Sequence, residues 1–234
     1  MKIVTVIPAR GGSKGIVKKN IIKIKGKPLL YYSVNASLNS KVNETYVCTD
    51  DNEIRDEALS LGSKVLMRPA YLADDVIMPD PTLVFFASKI KFDILVFIQP
   101  TSPLIKKEYI NQGVDMIKTG NYDSVFTVTE EHWLPRWNDR IEPIEWEIDN
   151  RPRRQDMPIN FIENGMMYIT KRQTLLKTKL RYGGNMGFIK IPLKQSFQLD
   201  SNEDLTSDTL IVFKFSFNGC NFILSSRLWF AEKS

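Results

Sequence analysis

The chain has 234 residues, 43% of them hydrophobic, enough for one α/β domain with a full core, and its two widely separated cysteines, Cys48 and Cys220, exclude a disulfide framework or a CxxC zinc site. Nine of the 32 Lys and Arg residues fall in the first 43 positions, which hold no acidic side chain, so the remainder carries 23 basic against 27 acidic residues. Such a local field suits a polyanionic small ligand such as a nucleoside triphosphate better than a nucleic-acid surface, although on charge alone a solvated lysine-rich face is the commoner explanation.

In chain order, residues 2–8 read as a buried strand closed by Pro8. A Gly- and Lys-rich loop follows, and Pro28 stands where a helix begins, ahead of Leu29, Leu30, Tyr32, Val34 and Leu38. Thr45 to Cys48 is a short strand; Asp51 caps a helix that Gly62 ends; Lys64 to Met67 is the next strand. Residues 80–91 read as helix, Ile94 to Ile98 as a buried strand, 106–118 as helix and Ser124 to Val128 as strand. Alternating strands and helices predict a mainly parallel sheet with helices on both faces, with ligands outside the carboxyl ends of the strands. From about 130 to 160 the pattern breaks into prolines, mixed charges and Trp133, Trp137 and Trp146, which reads as an inserted arm. The expectation is a single domain over 1–234, with that arm and an atypical tail at about 206–234. In the tail, Ile211–Phe217, Asn218-Gly219 and Cys220–Leu224 read as a hairpin, followed by the apolar Leu228-Trp-Phe230. The apolar start is shorter than a signal peptide and no segment reaches the length of a membrane span, so the expected setting is cytoplasmic, with no membrane or nucleic-acid partner.

The strongest local signal is Pro8-Ala-Arg-Gly-Gly-Ser-Lys-Gly15, continuing to Lys18-Lys-Asn20, directly after the first strand. Glycines there let the backbone approach a phosphate and turn successive N–H groups toward it. The spacing is neither a Walker A motif nor GxGxxG. Together with Ile7 the run resembles the signature of the acylneuraminate cytidylyltransferases, the CMP-sialic acid synthetases. Four further segments match in register: Arg68-Pro-Ala-Tyr-Leu-Ala-Asp-Asp75, Gln99-Pro-Thr-Ser-Pro-Leu104, Arg154-Gln155 with Glu163-Asn-Gly165 and Tyr168-Ile169, and Leu199-Asp-Ser-Asn-Glu-Asp204. The resemblance covers roughly residues 1–205.

The resemblance implies a Rossmann-like nucleotidyltransferase fold whose inserted arm serves dimerisation. It also implies a homodimeric enzyme that couples CTP to a nonulosonic acid with Mg²⁺, giving a CMP-sugar and pyrophosphate by in-line attack of the anomeric hydroxyl on the α-phosphate. Arg10, Lys14 and Lys19 are then the catalytic cations that stabilise charge on the leaving pyrophosphate. Ala9, Gly11, Gly12 and Ser13 complete the phosphate loop, and Asn20 and Arg68 bind the cytidine. Gln99, Thr101, Ser102 and Asn164 face the sugar, and Arg136, Arg154 and Gln155 reach it from the arm, where an arginine fork suits a carboxylate. Asp200 is the metal ligand. Some members carry a second Asp two positions earlier, where this chain has Gln198. Asp204 either serves that metal site in place of the missing Asp or starts a helix, the second being the commoner role; Asp50 reads as a turn or cap residue, and His132 as structural or binding. The alternatives are a nucleotidyltransferase acting on an eight-carbon ulosonate and a non-catalytic nucleotide-binding protein of the same fold.

Overall fold

A computed structural model describes residues 1–74 and 76–205. Asp75, the last residue of the second motif, and the tail hairpin and Cys220 lie outside the described residues.

The chain opens with β1 (Ile3–Pro8). A small antiparallel pair, β2 (Lys23–Ile24) and β3 (Lys27–Pro28), leads into α1 (Leu29–Leu38), with Pro28 at its N-cap. β4 (Glu44–Thr49), α2 (Asn52–Ser60) and β5 (Lys64–Met67) follow. Then come α3 (Pro79–Lys89), β6 (Ile94–Ile98), α4 (Lys107–Lys118) and β7 (Ser124–Glu130). The arm carries β8 (Arg136–Trp137) and β9 (Pro143–Ile144). β10 (Phe161–Lys171), α5 (Arg172–Thr178) and β11 (Met186–Lys190) complete the elements that build the sheet and its flanks.

Local chemistry fixes several boundaries. Asp51 Oδ1 accepts from the Ile54 N–H at 3.0 Å and so caps α2. α3 begins at Pro79, whose missing N–H would be unpaired in a first turn anyway, with Asp80 beside the positive end of the helix dipole. In α4, Ile110, Val114 and Ile117 recur at helical spacing and are all buried.

Among the described residues, seven strands form one sheet in the order β11-β7-β10-β6-β1-β4-β5. β1 pairs in parallel with both β4 and β6, β4 with β5, and β7 with β11, whereas β10 is antiparallel to β6 and β7. The mainly parallel expectation therefore holds with one reversed strand, which the sequence reading did not separate as a strand. One sheet face buries Ile7, Val47 and Val96 under α1, α2 and α4; the other buries Val6, Phe97 and Tyr168 under Phe86 of α3 and Leu175 of α5. Strands covered on both faces need near-continuous apolar sequence, as in Ile94-Leu-Val-Phe-Ile98.

The strand order reverses at β1. The chain runs outward from β1 to β4 and β5, then returns through α3 to place β6 on the other side of β1. The loops leaving β1 and β6 diverge there and open a crevice at the carboxyl ends. A third, smaller core of Ile16, Ile24, Leu29, Tyr32, Leu104 and Leu199 anchors the loops around that crevice.

Candidate functional site

A cleft of about 290 Å³ occupies this switch point. The loop after β1 contributes Arg10, Ser13, Lys19 and Asn20, the end of β5 contributes Arg68, and the loop after β6 contributes Gln99 and Thr101. These seven expected site residues, from three separate motifs, come together.

The loop after β1 is braced from within and from outside. Buried Asn20 donates through Nδ2 to the Arg10 carbonyl at 2.9 Å, which closes the loop, while its Oδ1 has no hydrogen-bond partner. Gly15 sits against the fifth motif: a Cβ there would stand 2.6 Å from the Asp200 carbonyl oxygen, so only glycine allows the two segments to meet. Lys19 Nζ lies 2.9 Å from Asp200 Oδ1. Gly11 and Gly12 lie in the same loop, which leaves Gly12 with open space around its missing side chain. Lys14 is exposed and not among the cleft-lining residues. Ala9 is fully buried, and its N–H is already given to the Cys48 carbonyl at 2.9 Å.

Arg68 is 8% exposed, far from an ordinary surface arginine. Its N–H donates to the Thr49 carbonyl at 2.8 Å and its Nη1 to Thr82 Oγ1 at 3.2 Å. Nη2 lies 3.5 Å from Asp50 Oδ1, too long for a hydrogen bond but close enough for charge pairing, and Nε has no partner. Asp50, read from sequence as a turn or cap residue, is thus the counter-ion of Arg68, and Asp51 is the cap. The signal available was position: Asp50 directly follows a strand's carboxyl end. Beside this pair, burial pushes the Cys48 thiol up to about 12, the Arg68 charge only partly opposing it, so Cys48 stays a protonated core residue.

At β6, Gln99 has two roles. Its carbonyl accepts from the Ser102 N–H at 3.2 Å, forming the expected turn, and its side chain lines the cleft. Ser102 is fully buried with an unpartnered Oγ and does not line the cleft. Asn164 is also outside the lining. Its Oδ1 accepts from Thr127 Oγ1 at 2.6 Å and from the Met166 N–H at 3.2 Å, and its Nδ2 donates to Thr129 Oγ1 at 3.2 Å. Those bonds pin an irregular stretch of β10, where the register with β7 shifts between Glu163 and Tyr168.

The arm residues stand apart from the cleft. Arg136 pairs with Glu145 at 2.6 Å, Arg154 contacts the His132 ring, and Gln155 is exposed; none lines the cleft. In the fifth motif, Asp204 Oδ2 accepts from the N–H groups of Asp200 at 2.9 Å and Ser201 at 2.8 Å. Burial raises the Asp204 pKa, but these hydrogen bonds outweigh it and leave the carboxyl below its usual range. Asp204 thus braces the turn at Asp200 and Ser201. Among the described residues no cluster of three or more His, Cys, Asp or Glu side chains gathers into a metal cage.

Sheet and cleft together define a doubly wound α/β protein with a basic pocket at the switch point. A family model described as Cytidylyltransferase matches residues 4–151, and the chain belongs to that family. It is 33% identical over 226 residues to "N-acylneuraminate cytidylyltransferase A" of Danio rerio, covering 93% of this chain and 52% of that one. It is 28% identical to "Pseudaminic acid cytidylyltransferase" of Campylobacter jejuni, covering 88% of this chain and 94% of that one. The chain spans about half the length of the first curated relatives it matches. Among solved structures, a CMP:2-keto-3-deoxy-manno-octonic acid synthetase complexed with CTP superposes with a TM-score of 0.72 at 18% identity, covering 92% of this chain and 99% of that one. Among the described residues no helix is long and apolar enough to cross a membrane.

Proposed function

We propose that this chain transfers the cytidylyl group of CTP to the anomeric hydroxyl of a nonulosonic acid, releasing pyrophosphate. The observation that carries the reading is the pairing of polar atoms in the cleft. Asn20 offers a buried, unpartnered acceptor and Arg68 a buried, unpartnered donor within the same pocket as the Arg10 and Lys19 cations. A cytosine edge carries both a donor and acceptors, and a triphosphate carries the matching negative charge. Buried polar atoms left without partners cost stability unless a ligand completes them.

In this reading the anomeric oxygen bonds to the α-phosphorus as the bond to the bridging oxygen of pyrophosphate breaks. Arg10 and Lys19, with Lys14 at the mouth of the loop, stabilise the charge that moves onto the leaving group. Backbone groups of Gly11, Gly12 and Ser13 cradle the phosphates. Gln99 and Thr101 face the acceptor, with Ser102 and Asn164 supporting them from behind.

The donor set fits a magnesium ion. A Mg²⁺ ion on a triphosphate needs only one or two protein carboxylates. Asp200, more than half exposed beside Lys19, would be that carboxylate. When bound, the ion neutralises phosphate charge.

A homodimer in the cytoplasm completes the proposal, with a second copy covering the arm. The arm exposes Leu134, Trp137, Ile148 and Ile159, and its arginines do not reach their own cleft. They are then available to the acceptor carboxylate in the partner.

The test is pyrophosphate release from CTP and Mg²⁺, with N-acetylneuraminate, legionaminate, pseudaminate and an eight-carbon ulosonate offered singly. Release with one nine-carbon acid, reduced on the order of 100-fold by Lys19→Ala, is expected. Release with the eight-carbon acid alone would move the acceptor class. CTP binding with no release from any acceptor would support the non-catalytic alternative.

A further inference from the structure

Residues 198–200 touch the irregular stretch of β10 and two loops of the cleft in succession. Gln198 Nε2 donates to the Asn164 carbonyl. The Leu199 N–H donates to the Thr101 carbonyl at 2.8 Å. Asp200 meets Gly15 through its carbonyl and Lys19 through its carboxylate. One short run of chain therefore ties the phosphate loop to the loop after β6 and to the irregular stretch of β10.

Gln198 makes its link through the side-chain amide. Gly165 adopts a left-handed backbone, φ +71°; a Cβ there would stand 2.5 Å from Gln198 Nε2 and 3.5 Å from Gln99 Oε1. Gln99, Gly165 and Gln198 thus converge where β10 loses register with β7. The Asn164 carbonyl belongs to that interrupted stretch, and a backbone carbonyl outside a regular ladder needs another donor. The glutamine amide supplies it. A carboxylate of equal length would set acceptor against acceptor, and an alanine would leave the carbonyl without this partner.

We propose that Gln198 is a positioning residue: by holding the Asn164–Gly165 bulge against Gln99, it sets the acceptor half of the cleft relative to the nucleotide half. The inference rests on the function proposed above, which puts Gln99 on the acceptor side. In-line displacement requires the attacking oxygen and the α-phosphorus to be aligned, and small misplacements cost much of the rate. Because residues 198–200 contact both halves, their relative placement is set by one segment rather than by two independent loops.

The experiment uses Gln198→Ala and Gln198→Glu in the full chain. CTP affinity is measured by calorimetry without acceptor; acceptor KM and kcat come from pyrophosphate release. CTP Kd is expected to stay within about threefold of wild type, while acceptor KM rises on the order of tenfold. In Gln198→Glu a carboxylate faces the Asn164 carbonyl, and the same split between ligands is expected. A merely structural side chain would weaken both ligands together. Unchanged acceptor KM or equal loss of both affinities overturns the proposal. If wild type itself releases no pyrophosphate, the reaction has failed rather than Gln198. Amide exchange then decides: faster exchange over residues 163–167 in Gln198→Ala supports the positioning role, and unchanged exchange overturns it.

Discussion

Arg68 would be an ordinary surface cation if its neighbours were water. Here Asp50, Thr82 and the strand ends of β4 and β5 enclose it, which holds its guanidinium in place and leaves the buried Nε as an unpartnered donor. Losing the counter-ion should free that orientation. Asp50→Asn is expected to raise KM for CTP roughly tenfold, or about 1.4 kcal/mol, with kcat changed much less. Steady-state kinetics at saturating acceptor checks this; an unchanged KM would leave Asp50 as packing alone. The cleft cations and Gln99 were legible because they sit in loops directly after apolar strands, where topology dictates a crevice. Asp50 shares that position, but its pairing with Arg68, like that of Gln198 with Asn164, was not legible because the partners are distant in sequence. Lys14, Ser102 and Asn164 show the opposite limit: a motif names residues without saying which side chains face the ligand and which brace the backbone.

The central strands were readable to within a residue or two, because Ile3–Pro8 and Ile94–Ile98 are buried on both faces and carry uninterrupted apolar sequence. β10 was not read as a strand. Asn164-Gly165 in its middle looks like a turn, and the structure uses it as a bulge that lets one long strand pair with β7 in two registers. The strand next to the β5 edge offers a pH prediction. Glu44, at the start of β4, is held to about 2 by hydrogen bonds from Lys2 and Lys64 first, then from Tyr46. Its Oε2 is 2.8 Å from Lys2 Nζ and its Oε1 2.6 Å from Lys64 Nζ, which joins β4 to the chain entering β1 and to β5. A carboxyl depressed in the folded state adds stability above its unfolded pKa of about 4.3 and loses it as pH falls toward the folded value. These groups meet solvent, so screening limits the effect. Glu44→Gln should cost about 1 kcal/mol at pH 7 and a minor part of that near pH 2.5 by urea unfolding. An equal cost at both pH values would assign the loss to packing instead.

At the scale of the whole molecule, the arm and the cleft are separate in one chain, and the proposed homodimer brings them together. If each cleft is completed by the partner's arm, two inactive variants complement one another. Mixing and reassembling Lys19→Ala with Arg154→Ala should restore about a quarter of wild-type activity, because half of the random dimers hold one intact site of two. No recovery, with mixed dimers verified by mass, would place arm and cleft in the same subunit. The tail beyond Leu205 lies outside the described residues and enters none of these arguments.

The central claim is the bond that forms. CTP, Mg²⁺ and the accepted nonulosonic acid labelled with ¹⁸O at its anomeric hydroxyl should yield a CMP-sugar whose bridging oxygen carries the label, with unlabelled pyrophosphate, by mass spectrometry. Free CMP with an unchanged sugar, or a CMP-sugar whose bridge lacks the label, would contradict direct attack by the anomeric hydroxyl on the α-phosphorus.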